Sequence, residues 1–338
     1  MIILIGDKDS KRTKYFLKAA EKHGVSVRLI SWTEIFKGFD YRVLEGAAVK
    51  IDPPLYNITE LGMMQESLLI YQDILKDLAL CRCTFLNTPE AILNVLDKRA
   101  AKKELGKHML PVTRIVSENV NSASQLIGIM REKKEYSVFI KPVNYSGAAG
   151  IAAFRLNPAS GRMKLYTSCC IDKGKLYNTK KLYVLDNSTD ILNIINSLAV
   201  MGGLHNTQGL IAEKWYPKDS FNGKSYDLRV VYQYGRVSYI VVRQSDGPVT
   251  NLHLNNQAMD FRKLMLPGNI ISGIEEICSK AVHVFKGLNV AGIDVLLDKG
   301  SRKPRIIEIN GQGDLIYQDI FSVNKIYSEQ VEMLSGKA

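Results

Sequence analysis

The chain has 338 residues, 46% hydrophobic and 23% charged, which excludes a disordered, collagen-like or repeat-array protein. No apolar run approaches the ~18–20 residues that cross a bilayer, and the early charges follow the apolar start, the reverse of a signal peptide, so a cytoplasmic location and no membrane partner are expected. Forty-five Lys and Arg against 34 Asp and Glu give a formal charge of +11, which calls for an anionic partner such as nucleotide phosphates, an acidic peptide or nucleic acid.

The basic residues are spread along the chain without an arginine-rich tail, which disfavours nucleic acid. Cys81, Cys83, Cys169, Cys170 and Cys278 form no CxxC pair and no zinc spacing, so reduced, structural thiols are expected.

Residues 1–5 read as a buried strand, 11–23 as an amphipathic helix stopped near Gly24, and 26–31 as a second strand. A β-α-β opening predicts an α/β fold with a parallel N-terminal sheet. A strand over 47–51 ends at Asp52-Pro53-Pro54, followed by a helix over 58–80 and the strand-like CTFLN. Thr88-Pro89-Glu90 marks a helix start, Thr88 capping and Pro89 in the first turn, and the first domain boundary is placed there.

A helix then runs from Asp97 to Pro111, a strand over 137–141 leads into a small-residue loop at 146–150, and strands 151–155 and 163–168 form a hairpin. Beyond a helix at 189–199 come strands 210–213, 227–233 and 237–243, a helix at 272–285, and strands 292–297 and 305–310. No internal repeat or low-complexity linker interrupts them.

The chemistry concentrates in GIDVLLD and RIIEIN. On neighbouring strands Asp294, Glu308 and Asn310 can share a face, and hard oxygen donors converging beside a phosphate suit Mg²⁺. The alternative is an edge strand with solvated polar residues. Lys141 ends the apolar strand VFIKP ahead of SGAAG, and Lys98 opens a helix; both can offer point charge to phosphates, although FIKP also reads as a strand with an exposed end.

LIAEKWYP reads as a buried strand emerging onto aromatics, where backbone groups could pair with adenine, or where Trp215 and Tyr216 simply fill the core. Asp227 and Arg229 lie on one strand, Arg243 ends its partner, and Asn251 and His253 follow in the next loop. Arginines at strand ends facing a cleft suit the charge that develops in phosphoryl transfer. His253 reads either as a substrate contact or base, or as an incidental loop histidine.

The order Asp52-Pro53-Pro54, TPEAILNVLDK, FIKPVNYSGAAGI, IAEKWYP, DLRVVYQYGRVSYIVVR, TNLHL, GIDV and EIN resembles the ATP-grasp superfamily over nearly the whole chain, most of all bacterial glutathione synthetases and ribosomal-protein glutamate ligases. The resemblance implies an ATP-grasp fold, α+β in its later parts, behind a pre-ATP-grasp-like domain at 1–90. A central subdomain with the phosphate loop would span 91–210, and a C-terminal subdomain with the Mg²⁺ strands 211–338.

The same resemblance implies an ADP-forming ligase that joins a carboxylate to an amine, or closes an ester, through an acyl phosphate. Its substrates would be amino acids, small peptides or ribosomally made acidic peptides. A kinase or a non-catalytic nucleotide-binding regulator is the alternative, and a homo-oligomer is left open. ATP and Mg²⁺, with Mn²⁺ as the substitute, would be the cofactors.

By resemblance, Lys98 and Lys141 hold nucleotide phosphates, with Ser146, Gly147 and Gly150 in the loop over them. Glu213, Lys214 and Trp215 form the adenine hinge, and Asp219 stands near a ribose-binding position. Arg229, Arg243 and Asn251 serve the acyl phosphate and γ-phosphate, and Asp294, Glu308 and Asn310 the metal. Three features depart from the pattern: the loop is poor in glycine, Gly311-Gln312-Gly313-Asp314 follows Asn310, and the stretch from about Arg155 to Gln208 is longer than the family minimum.

Overall fold

Three sheets carry the chain in the computed structural model, which describes residues 1–55, 58–145, 148–203, 209–254, 256–313 and 324–336. The first unit contains β1 (Ile2–Gly6), α1 (Lys11–Lys22), β2 (Val27–Ser31), α2 (Trp32–Phe36), β3 (Ala48–Ile51), α3 (Leu61–Leu78) and β4 (Thr84–Phe85). Its strands run parallel in the order β2-β1-β3-β4. Every residue of β1 is buried because both faces are covered. Ile3 and Ile5 pack with Trp32, Tyr71 and Leu75, while Ile2 and Leu4 pack with Phe16, Tyr327 and Val331.

Helix α3 ties this unit to the next. Its first turns bury Leu61 and Leu68 in the core of the second sheet, and its later turns bury Tyr71, Ile74, Leu75 and Leu78 in the first. Two capped helices follow, α4 (Pro89–Leu96) and α5 (Lys98–Lys107). The Thr88 hydroxyl accepts from the Ala91 N–H at 3.2 Å, with Pro89 in the first turn where its missing N–H costs nothing, and Asp97 accepts from the Ala100 N–H at 2.7 Å.

The second unit has β5 (Ile115–Ser117), α6 (Ala123–Glu132), β6 (Ser137–Pro142), β7 (Ala152–Leu156), β8 (Met163–Asp172), β9 (Lys175–Leu185), α7 (Ser188–Gly203) and β10 (Leu210–Lys214). It forms an antiparallel sheet in the order β5-β10-β6-β7-β8-β9. The third unit has β11 (Ser220–Phe221), β12 (Lys224–Gln233), β13 (Arg236–Ser245), β14 (Gln257–Asp260), α8 (Gly268–His283), β15 (Ala291–Leu297) and β16 (Pro304–Asn310). Its order is β14-β13-β12-β15-β16, with β11 beside β12.

Helices α4, α5 and α8 pack on this third sheet through Val95, Leu105, Ile274 and Cys278. The last helix, α9 (Lys325–Ser335), returns to the first sheet and supplies Tyr327 and Val331.

The α/β architecture with a parallel N-terminal sheet is as read from the sequence. A division after residue 210, however, would cut through β10, which lies between β5 and β6 in the second sheet. All five cysteines are free thiols. Among the described residues no helix is long and apolar enough to cross a membrane.

Candidate active site

A cavity of about 940 Å³ opens between the second and third sheets, with the first unit closing one end. Its second-sheet wall is built around Glu213. On β10, Glu213 sits directly opposite Phe139 of β6, and Lys141, two residues on, shares that face. Glu213 is 1% exposed. Its Oε2 accepts from Lys102 Nζ at 2.6 Å, Lys141 Nζ at 3.0 Å and the Thr113 hydroxyl at 2.9 Å, while Oε1 is buried with no hydrogen-bond partner among the described residues.

Burial would raise the Glu213 carboxyl, but Lys102 and Lys141 override it and hold it at about 2. For Lys102 burial wins over the pull of Glu213 and pushes the amine down to about 8. Lys141 is buried too, but Glu213 and Glu308 together raise it. Lys98, at the first position of α5, donates to the Tyr145 carbonyl and lies 3.5 Å from Glu308.

The third-sheet wall uses arginines. Asp227 and Arg243 are register partners on β12 and β13, joined by Arg243 Nε to Asp227 Oδ1 at 2.7 Å. Arg243 also reaches Asp294 Oδ2 at 3.1 Å, and Arg229 Nε donates to Asp294 Oδ1 at 2.6 Å. Lys218 Nζ bonds Asp227 Oδ2 at 3.0 Å and the Thr250 hydroxyl at 2.8 Å, and Thr250 donates to the same carboxylate. Burial is overcome at Asp227 by Arg243 and Lys218, which push its carboxyl well below the usual range, and at Arg243 by Asp227 and Asp294, which raise the guanidinium. At Lys218 burial prevails and lowers the amine.

Asp294 and Glu308 face each other across β15 and β16, and Asn310 is paired with Gly292. All three side chains border the cavity. Asn310 Nδ2 donates to the Gly292 carbonyl at 3.1 Å, which turns its amide oxygen the other way. Both Asp294 oxygens already hold guanidinium groups, leaving Glu308 and Asn310 as the more open donors. Among the described residues no group of three or more His, Cys, Asp or Glu could hold a metal ion. A pair of hard oxygens completed by water and phosphate still fits Mg²⁺, which keeps waters and shares phosphate oxygens.

The turn after β16 is held close to the strand. A Cβ on Gly292 would lie 2.3 Å from the Gly313 carbonyl oxygen, and one on Gly313 would lie 2.3 Å from Gly292 Cα, so neither position admits a side chain. Arg229 Nη1 donates to the Gly313 carbonyl at 3.2 Å. Between Gly311 and Gly313, Gln312 donates to the Ile51 carbonyl at 2.8 Å and accepts from the Tyr71 hydroxyl at 2.8 Å, docking the first unit against the site.

Of the residues singled out from sequence, Lys98, Lys141, Glu213, Lys214, Arg229, Arg243, Asn251, Asp294, Glu308 and Asn310 line this one cavity. Ser146, Gly147 and the His253 side chain lie outside the described residues. Gly150 is not on the wall: its φ of +70° and a would-be Cβ 2.5 Å from Pro142 make it a backbone requirement of the loop.

Two more of the expected residues do not line the cavity. The Trp215 ring packs 5.2 Å from Phe139 with the Arg155 guanidinium 3.9 Å over it, and the Trp215 backbone N–H donates to the Ser137 carbonyl at 3.0 Å. Tyr216, covered by Arg305 at 4.1 Å, takes the cavity position instead. Asp219 accepts from Arg302 at 2.8 Å and from the Tyr226 hydroxyl at 3.1 Å, and its neighbour Lys218 is the residue that faces in.

Lys102, Thr113, Lys218 and Thr250 were not found by sequence reading. One signal was there for Lys102: it follows Lys98 by four positions, and like charges on one helix face are unfavourable without an anion between them.

No family model matches the sequence, and no curated protein does. Solved structures match it over nearly their whole length, 97–100% for the three that follow. The macrocyclase MdnC bound with precursor peptide MdnA, from Microcystis aeruginosa MRC, has a TM-score of 0.61 at 13% identity, covering 100% of both chains. The D-cycloserine synthetase DcsG has a TM-score of 0.62 at 13% identity, covering 98% of this chain and 99% of its own. The ATP-grasp ligase PsnB, complexed with minimal precursor, Mg and ADP, has a TM-score of 0.58 at 14% identity, covering 99% and 97%.

Proposed function

We propose that this chain, whose fold is ATP-grasp, is an ATP-dependent ligase that joins a carboxylate to an amine, with an amino acid or peptide as the acid. The observation that carries the reading is the convergence on one cavity of Lys98, Lys141, Arg229 and Arg243 with the Glu308 and Asn310 oxygens. Cations from two sheets facing one volume fit a triphosphate. A volume near the top of the ~300–1,000 Å³ range of ligand pockets leaves room for a second substrate.

Lys98 and Lys141 would grip the phosphates as point charges. Arg243 and Arg229 would take the charge that develops as a carboxylate oxygen bonds to the γ-phosphorus and the bond to the β-phosphate oxygen breaks. Glu308 and Asn310 would hold Mg²⁺, which when bound neutralises phosphate charge. The amine would then attack the acyl carbon and expel phosphate, losing a proton as the amide forms, and closure of the cavity over the substrates would keep water out. The +11 charge, and precursor peptides bound by proteins of the same fold, support an acidic peptide as the acid.

The test supplies ATP and Mg²⁺ with a panel of free amino acids and short acidic peptides, singly and with an amine. Release of ADP and phosphate only when acid and amine are both present is the expected result. A stable phosphorylated product with no amine requirement would make the protein a kinase, and absence of turnover with tight ATP binding would make it a nucleotide-binding regulator.

A further inference from the structure

Lys102 takes no part in the chemistry above and is not on the cavity wall, yet it is buried at 5% exposure with Nζ 2.6 Å from Glu213 Oε2. An ammonium so buried is costly unless its partners compensate. Its partners are Glu213 and Thr113, the second accepting from Lys102 and donating to the same Glu213 oxygen. Lys98, one turn earlier on the helix, turns elsewhere, to Tyr145 and Glu308.

Glu213 therefore stands between a hidden lysine and a lysine that faces the cavity. We propose that Lys102 is a positioning residue: by neutralising Glu213 from behind, it lets that carboxylate aim Lys141 at the nucleotide phosphates without holding it back. The inference rests on the nucleotide reading of the cavity. With Lys102 charged, two ammonium groups share one carboxylate, and the trio keeps a formal positive charge for a phosphate to use. Without that charge Lys141 and Glu213 become a neutral pair, and a phosphate must compete with a buried carboxylate for Lys141.

Titration calorimetry on the full chain tests this, with a non-hydrolysable ATP analogue and with adenosine, for wild type, Lys102→Met, Lys141→Ala and the double variant. Lys102→Met is expected to weaken analogue binding about tenfold while leaving adenosine binding unchanged. The double variant should bind the analogue no worse than Lys141→Ala alone, because one residue acts through the other.

Additive losses, equal weakening of adenosine, or analogue affinity unchanged in Lys102→Met would each overturn the proposal. A wild type that binds neither ligand removes the nucleotide reading itself. Should Lys102→Met fail to fold, Lys102→Gln, which keeps a hydrogen-bond donor beside Glu213 but removes the charge, carries the same cycle against Lys141→Ala with the same criteria.

Discussion

The two walls of the cavity solve one electrostatic problem with different side chains. On the second sheet a buried glutamate holds two lysines; on the third, two buried aspartates hold two arginines and a lysine. Both arrangements keep cations at a cavity surface before any ligand arrives. Lysine is a compact point charge whose proton affinity falls with burial, as Lys102 shows, whereas arginine stays charged and offers a planar fork to two oxygens. The lysine wall is thus suited to binding phosphates that are charged throughout, and the arginine wall to charge that appears during reaction.

The largest effect is expected where the walls meet, at Glu308, which faces Asp294 across the strands and lies 3.5 Å from Lys98. Glu308→Gln keeps the size and removes a negative ligand, so Mg²⁺-ATP turnover should fall about a thousandfold, with an unchanged far-ultraviolet circular dichroism spectrum. Near-wild-type turnover would remove Glu308 from the metal set. Asp294→Asn should be milder in turnover, since its oxygens already serve Arg229 and Arg243, but it should also lower thermal stability by leaving those guanidinium groups underpaired.

Next comes the contrast between the walls. Arg243→Lys keeps the charge and loses the fork, so kcat should drop about a hundredfold with little change in ATP affinity. Lys141→Ala should do the reverse, weakening binding of a non-hydrolysable ATP analogue about tenfold, with a smaller loss of kcat at saturation. If Arg243→Lys bound ATP poorly but turned over normally at saturation, the division of labour between the walls would be wrong.

The smallest effect concerns Glu213. Its folded carboxyl sits at about 2 against an ordinary 4.5, so its contribution to stability is full above pH 4.5 and is lost as pH falls towards 2. Thermal unfolding of wild type minus that of Glu213→Gln should show a gap that narrows across that window. A gap constant with pH would mean that the carboxylate is not held by its lysines.

Much of this was legible in the sequence, for identifiable reasons. The GIDVLLD and RIIEIN strands were read as neighbours because apolar alternation with acidic interruptions is a strong signal, and the Thr88-Pro89 cap was read because its chemistry is local. Which of Trp215 and Tyr216 faces the cavity was not legible, because both follow the end of β10 at Lys214 and the partners that cover them, Arg155 and Arg305, come from distant parts of the chain. The position of Asp219 off the cavity wall was not legible because its partner Arg302 lies 83 residues further along the chain.

Strand β9 was missed because its middle reads NTKK, polar like a loop, and its pairing with β8 shifts register. Helix α9 went unseen because what fixes it is remote: Phe16 and β1, some three hundred residues earlier in the chain.

The central claim, that the cavity between these walls transfers a phosphoryl group to a carboxylate, is tested most directly by oxygen tracing. The acid that supports turnover is labelled with ¹⁸O in its carboxylate, and the phosphate released on ligation is analysed by mass spectrometry. An acyl phosphate predicts one ¹⁸O atom in each phosphate formed. Ligated product accompanied by unlabelled phosphate would contradict it.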